Sequence, residues 1–282
     1  MAKFNEYFRC NGKEYYNPSL DKEEKHFIDP NKIGKINIPG FNGQSAKQRI
    51  ASFCTYAFEL YLSGDLASAY DLLSIPKEVN ATRIGWGKVD YHGKGTSYDI
   101  LEPVFRPIKV IKDAGLSTDS MSKHIEFFTI IAPNFAEDRL SDLITNIICD
   151  FLVEFTQFIC TEQNIPMVSG AEIEYFDEST KKWCTKVVEL PVDELGRPII
   201  LIPNKSVVDT YPFRADSFVR SVIFESLQSK ALAAGEKISK KKLWKKEVRP
   251  LGKGMTKKYV LQEIIRNPKL FDYYLDRLEF FA

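Results

Sequence analysis

In residues 138–163, Leu140, Leu143, Ile144, Ile147, Ile148, Phe151, Leu152, Phe155, Phe158 and Ile159 recur at intervals of three and four. That spacing lays one wide apolar stripe along a helix of about 25 residues, nearly 40 Å long at ~1.5 Å per residue. A stripe of that length has to be covered, so the rest of the chain must supply a layer against it. The neighbouring patterns say what kind of layer. Ile125-Glu126-Phe127-Phe128-Thr129-Ile130-Ile131, bounded by Pro133-Asn134, is rich in β-formers and predicts a buried strand. Residues 171–176 and 183–190 alternate in character around Asp177-Glu178-Ser179-Thr180, a hairpin signal, and Pro198-Ile199-Ile200-Leu201-Ile202-Pro203 reads as a short strand bracketed by prolines. The expected fold is therefore α+β: a long central helix packed on a small mixed or antiparallel sheet, with a helical C-terminal region.

Further helices are expected over 45–62, stopped by Gly64, over 65–73, over 216–232, and over 258–281 with a break near Asn267-Pro268. His26-Phe27-Ile28-Asp29-Pro30 predicts a strand ending in a proline turn. A single α+β domain over 1–282 is expected, with a possible subdivision into a core, 1–205, and a basic helical region, 206–282. An apolar content of 44% with 27% charged residues is that of a folded chain rather than a disordered one. No run of eighteen apolar residues exists and the first residues show no apolar leader, so a cytoplasmic protein without membrane contact is expected. The five cysteines are scattered without a CxxC pair and read as reduced core residues. The three histidines have no spacing that suits zinc.

Charge is distributed unevenly. Residues 237–258 hold ten Lys or Arg and one acid, Glu247, for a formal +9, whereas the whole chain is +1 and the remainder therefore about −8. A cationic segment on an otherwise acidic chain suggests a polyanionic partner, and Trp244 among the lysines suggests an aromatic face on which an unpaired base could stack. The candidate nucleic-acid contacts are Lys240, Lys241, Lys242, Trp244, Lys245, Lys246, Arg249 and Lys253, joined by Lys94 in the loop Gly93-Lys94-Gly95-Thr96-Ser97. The plainer alternative is a solvated connector between helices. Arg214 and Arg220, at the start of a predicted helix, face phosphate or pair with acids of the surface.

The carboxylates point to one possible chemistry. Glu172 and Glu174 alternate with Ala171, Ile173 and Tyr175, so both project from one face of a strand, with Lys186 on its partner. Together with Asp142 from the long helix, they make a candidate magnesium site: Glu172, Glu174 and Asp142 as ligands and Lys186 steadying charge on phosphate, as in metal-dependent nucleases of the PD-(D/E)XK type. The E-x-K order of that pattern is missing here. Acids at Glu137 and Asp138 are expected anyway, because they complement the positive end of the helix dipole.

Taken together, Phe27-Ile28-Asp29-Pro30, the Gly93-Lys94-Gly95 loop, Glu137-Asp138-Arg139-Leu140-Ser141-Asp142-Leu143-Ile144-Thr145-Asn146 leading to Glu154-Phe155-Thr156-Gln157, and Gly196-Arg197-Pro198-Ile199-Ile200-Leu201-Ile202-Pro203 resemble a layout of uncharacterised bacterial proteins from phage-defence and mobile-element neighbourhoods. The resemblance implies a setting of conflict with foreign nucleic acid and not an activity; it is the carboxylates and the basic segment that suggest a metal-dependent nuclease or, alternatively, a non-catalytic subunit that binds nucleic acid or a protein partner.

Overall fold

The computed structural model describes residues 2–74, 79–85, 98–115, 124–133 and 135–281. The fold is α+β, and the chain divides into two compact units, each built from two separate stretches: Met1–Tyr98 with Ala136–Tyr211, and Asp99–Phe135 with Pro212–Ala282.

In the first unit the Gly43–Ser63 helix begins where the Asn42 side chain accepts the Ser45 N–H, and ends at Gly64, whose φ of 84° suits the left-handed cap. Gly43 has to be glycine for a second reason. A Cβ there would lie 2.0 Å from the Ile33 carbonyl oxygen. The hairpin pairs Val168–Asp177 with Lys182–Leu190, antiparallel, with Phe176 opposite Trp183. Phe53 of the first helix meets both rings at 5.1 and 5.6 Å, and the Trp183 indole N–H donates to the Leu72 carbonyl, so the hairpin is fixed by an aromatic cluster and by a hydrogen bond.

The stripe over 138–163 forms two helices, not one. Glu137–Ile147 and Cys149–Glu162 meet at Ile148 with a bend of 73°. Just before the break the Thr145 hydroxyl donates to the Ser141 carbonyl and the Asn146 amide to the Asp142 carbonyl, side-chain bonds that compete with the helical ladder. Periodicity survives such a bend because both halves bury the same stripe; Leu140, Ile144, Ile147 and Phe155 are fully buried. Among the described residues no single helix is long and apolar enough to cross a membrane.

Residues 198–203 are extended but form no strand of a sheet. Ile199, Ile200, Leu201 and Ile202 thread the core, and their backbone groups find separate partners: Ile199 N–H donates to Pro191 O, Ile200 N–H to Ala81 O, Leu201 N–H to the Thr156 hydroxyl, and Ile202 O accepts from Tyr16 N–H. A two-residue antiparallel pair, Phe27–Ile28 with Val207–Val208, sits beside the Glu137–Ile147 helix, where Ser141 Oγ accepts the Ile28 N–H and the Tyr211 hydroxyl donates to Ile28 O. The same unit holds an ionic knot around the buried Asp193. Asp193 accepts from Arg83 and Arg197 side chains and from the backbone N–H groups of Leu195 and Arg197, which offsets its burial and holds its carboxyl below the usual range.

The second unit corrects another expectation. Residues 125–131 are helical, as a 3₁₀ turn, Ile125–Phe127, followed by a helical turn, Phe128–Ile131. A short apolar run buried on every side has no period from which helix and strand can be told apart. Thr129 settles the local geometry by donating to the Glu126 carbonyl three residues back. Phe127 packs on Phe271 at 4.3 Å and Phe128 on Phe105 at 5.6 Å, so these residues meet the Tyr98–Asp113 and Lys269–Phe281 helices. The helix predicted over 216–232 spans Ala215–Phe218 and Phe224–Ala233 with a π-helical turn, Val219–Ile223, between them. Thr256–Arg266 and Lys269–Phe281 are separate helices flanking Asn267-Pro268.

Candidate nucleic-acid interface

The acidic constellation belongs to the first unit, and the structure assembles only part of it. Glu172 is exposed, Glu174 half-buried, and both line a cleft of about 390 Å³ with Asn80, Asn146, Cys149 and Thr185. Asp142 is not part of that lining; its charge acts instead on the buried Tyr211 hydroxyl, alongside those of Asp29 and Glu137. Lys186 pairs with Ile173, whereas Glu172 pairs with Val187 and Glu174 with Thr185. Residues directly opposite in an antiparallel pair share a face, so Lys186 stands on the other face from the two glutamates. Among the described residues no group of three or more His, Cys, Asp or Glu side chains is placed to hold a metal ion. The Cys149 thiol is pushed up to about 12 by burial and is neutral at ordinary pH. The structure thus brings Glu172 and Glu174 to one cleft and leaves Asp142 and Lys186 out of its lining.

The basic segment belongs to the second unit. Ser239 caps a short helix, Lys240–Leu243, by accepting the Lys242 N–H; a π-helical turn, Trp244–Val248, and a 3₁₀ turn, Arg249–Leu251, continue it. Leu243 and Val248 are each 4% exposed and anchor one side. Lys241, Lys242, Lys245, Lys246, Arg249 and Lys253 are exposed on the other. Gly252 and Gly254, at φ 92° and 81°, turn the chain into the Thr256–Arg266 helix.

The cations divide into two groups. Lys240 donates to Glu225 at 2.8 Å, and Glu225 also accepts from Arg277; although burial pushes the Glu225 carboxyl up, these two bonds hold it below the usual range. Lys257 donates to the carbonyls of Ala132 and Phe135 at 2.8 and 2.7 Å, and desolvation lowers its ammonium to about 8. These two lysines hold the unit together. Lys246 lies 3.5 Å from Glu247, while Lys241, Lys242, Lys245, Arg249 and Lys253 make no ion pair or hydrogen bond through their side chains with any described residue. Lys94 and its glycine loop lie outside the described residues.

Trp244 departs from its expected role. It is half-buried, its ring edge-on to Phe224 at 6.1 Å, and the Arg220 guanidinium sits 4.4 Å from its centroid. One indole face is thus covered by a cation instead of being open to a base.

Residues 10–213, more than half of the chain, match a family described as a domain of unknown function, DUF8370. The chain belongs to this family. No curated protein and no solved structure matches it. The DUF8370 match takes in Glu172, Glu174 and the bent helix pair, and it ends before the Ser239 cap, so the basic segment lies beyond the matched span.

Proposed function

We propose that this DUF8370 protein binds nucleic acid through its basic segment, as an electrostatic reader of the phosphate backbone and not as a base-stacking one. The observation that supports this reading is the one-sided display: Lys241, Lys242, Lys245, Arg249 and Lys253 are exposed and unpaired among the described residues, on a short helical stretch fixed from beneath by Leu243 and Val248. Cations held on a rigid element release condensed counterions when they meet phosphates, which makes binding strong at low salt and weak at high salt. The phage-defence setting rests on the resemblance alone.

The test is the salt dependence of binding to DNA and RNA oligonucleotides, read by anisotropy. The expected log–log slope is about −0.7 to −0.9 for each phosphate neutralised. Changing Lys241, Lys242 and Lys245 together to Ala is expected to flatten it, whereas Lys240→Ala acts mainly on stability through Glu225. Binding that ignores both salt and the triple change overturns the proposal. Magnesium-dependent cleavage that disappears in Glu174→Gln would add a catalytic role for the carboxylates to this binding role.

A further inference from the structure

The Arg220–Trp244 contact joins two distant stretches of sequence, and both partners sit in π-helical turns, Val219–Ile223 and Trp244–Val248. A π turn adds a residue to the helical circuit and re-aims the side chains it carries; such turns concentrate where a particular side chain must be presented. Here the result is a guanidinium laid over an indole. Arg220 is exposed and makes no hydrogen bond or ion pair with any described residue; Asp216, one turn earlier on its helix, does not engage it. Its guanidinium lies over the indole at 4.4 Å, and its N–H groups have no partner among the described residues. On the Trp244 stretch, Lys241 stands one turn before the indole and Lys245 next after it, both exposed.

We infer that Arg220 is the phosphate-gripping residue of the interface: Trp244 holds its guanidinium in one orientation, and the free N–H fork takes two oxygens of one phosphodiester, with Lys241 and Lys245 on the flanking phosphates. This rests on the nucleic-acid reading above and adds to it the residue that fixes the position of the backbone. The chemistry favours arginine for this part. A planar fork matches two phosphate oxygens at once, which a lysine ammonium cannot do, and a fork already ordered by stacking loses less freedom when it binds. Trp244 then serves as the platform for the arginine, which gives an aromatic residue among lysines a role other than stacking on a base.

The experiment uses the full chain with a fluorescein-labelled DNA oligonucleotide, single- and double-stranded, at several salt concentrations. Arg220→Lys keeps the charge and loses the fork. The expected result is an unchanged salt slope with affinity lower by about tenfold or more. Trp244→Leu removes the platform and no charge, and it is expected to lower affinity by a similar factor; the double variant should bind no worse than either single one, because both remove the same contact. Arg220→Ala should lower affinity and also reduce the slope by about 0.7 to 0.9. Arg220→Lys binding like the parent, while the triple lysine variant loses affinity, overturns the role of Arg220 and leaves the interface standing. A parent chain without salt-sensitive binding overturns both. Arg220→Lys leaves Trp244 on Phe224, so it decides the question even if Trp244→Leu melts early.

Discussion

Phe155 and Phe151 sit four apart on the stripe that predicted the helical spine, yet their surroundings differ. Phe155 is fully buried and edge-on to Phe41, whereas Phe151 is half-buried beneath the Arg49 guanidinium, 4.3 Å from the ring, and Arg49 itself pairs with Asp150. Phe155→Ala should therefore cost about 3–5 kcal/mol in denaturant unfolding, and Phe151→Ala clearly less, since only part of its ring leaves a cavity. Equal losses would mean that Arg49 seals Phe151 as tightly as the core seals Phe155. Lys257 allows a second test at this scale. Its ammonium is lowered to about 8 when folded against an ordinary value of 10.5. Below pH 8 both states carry the proton and the full desolvation cost is present; between about 8 and 10.5 the unfolded chain holds more protons, so stability from this group rises with pH. The melting temperature of the parent relative to Lys257→Met should accordingly increase from pH 7 to pH 9.5, and a constant difference would refute the shift. The charge of these residues was legible in the sequence, but their division was not. Nothing local separates Lys257, which reaches carbonyls near residue 132, or Lys240, which reaches Glu225, from the lysines left facing solvent.

Elements were legible where pattern and punctuation agreed. The Gly43–Ser63 helix carries both an apolar period and a glycine stop, and the hairpin carries alternation around Asp177-Glu178-Ser179-Thr180; both appear where expected. The reading failed where tertiary contacts replaced local signals. Residues 198–203 look like a strand because they are apolar and proline-bracketed, but their partners are three backbone groups and the Thr156 hydroxyl, from four different parts of the unit. The carboxylate constellation was legible only in part: alternation correctly put Glu172 and Glu174 on one face, while the register that sends Lys186 to the other depends on the hairpin pairing and is invisible in either strand alone. Element starts can also be strict. At Gly43 an added methyl would meet backbone oxygen of Ile33 and Ile36, and neither can move without shifting the preceding turn. Gly43→Ala should thus destabilise by about 1–3 kcal/mol in spite of alanine's better helix propensity, whereas Gly64→Ala, with open space around its Cβ, should show only the strain of a left-handed cap.

At the scale of the whole molecule, fold class was legible and the grouping of segments was not. Composition gives no hint that Asp99–Phe135 belongs with Pro212–Ala282 and not with the stretches on either side of it. The DUF8370 match, 10–213, cuts across this arrangement: it includes the first stretch of the second unit and omits nearly all of the other. A chain truncated after residue 213 should therefore expose the partners of Phe271 and of Lys257 around Phe127 and Ala132, and it is expected to aggregate or bind a hydrophobic dye; soluble, cooperatively melting protein would show that 10–213 is self-sufficient. The same interleaving sets a schedule during synthesis. The apolar run Phe127-Phe128-Thr129-Ile130-Ile131 leaves the ribosome roughly 140 residues before the Lys269–Phe281 helix that covers Phe127, a wait of about 7–30 s at ~5–20 residues per second. For that interval a β-prone, uncharged segment is without its native cover, so the yield of this protein in a cell should depend on translation speed and on chaperones that shield such a segment until the last helix arrives.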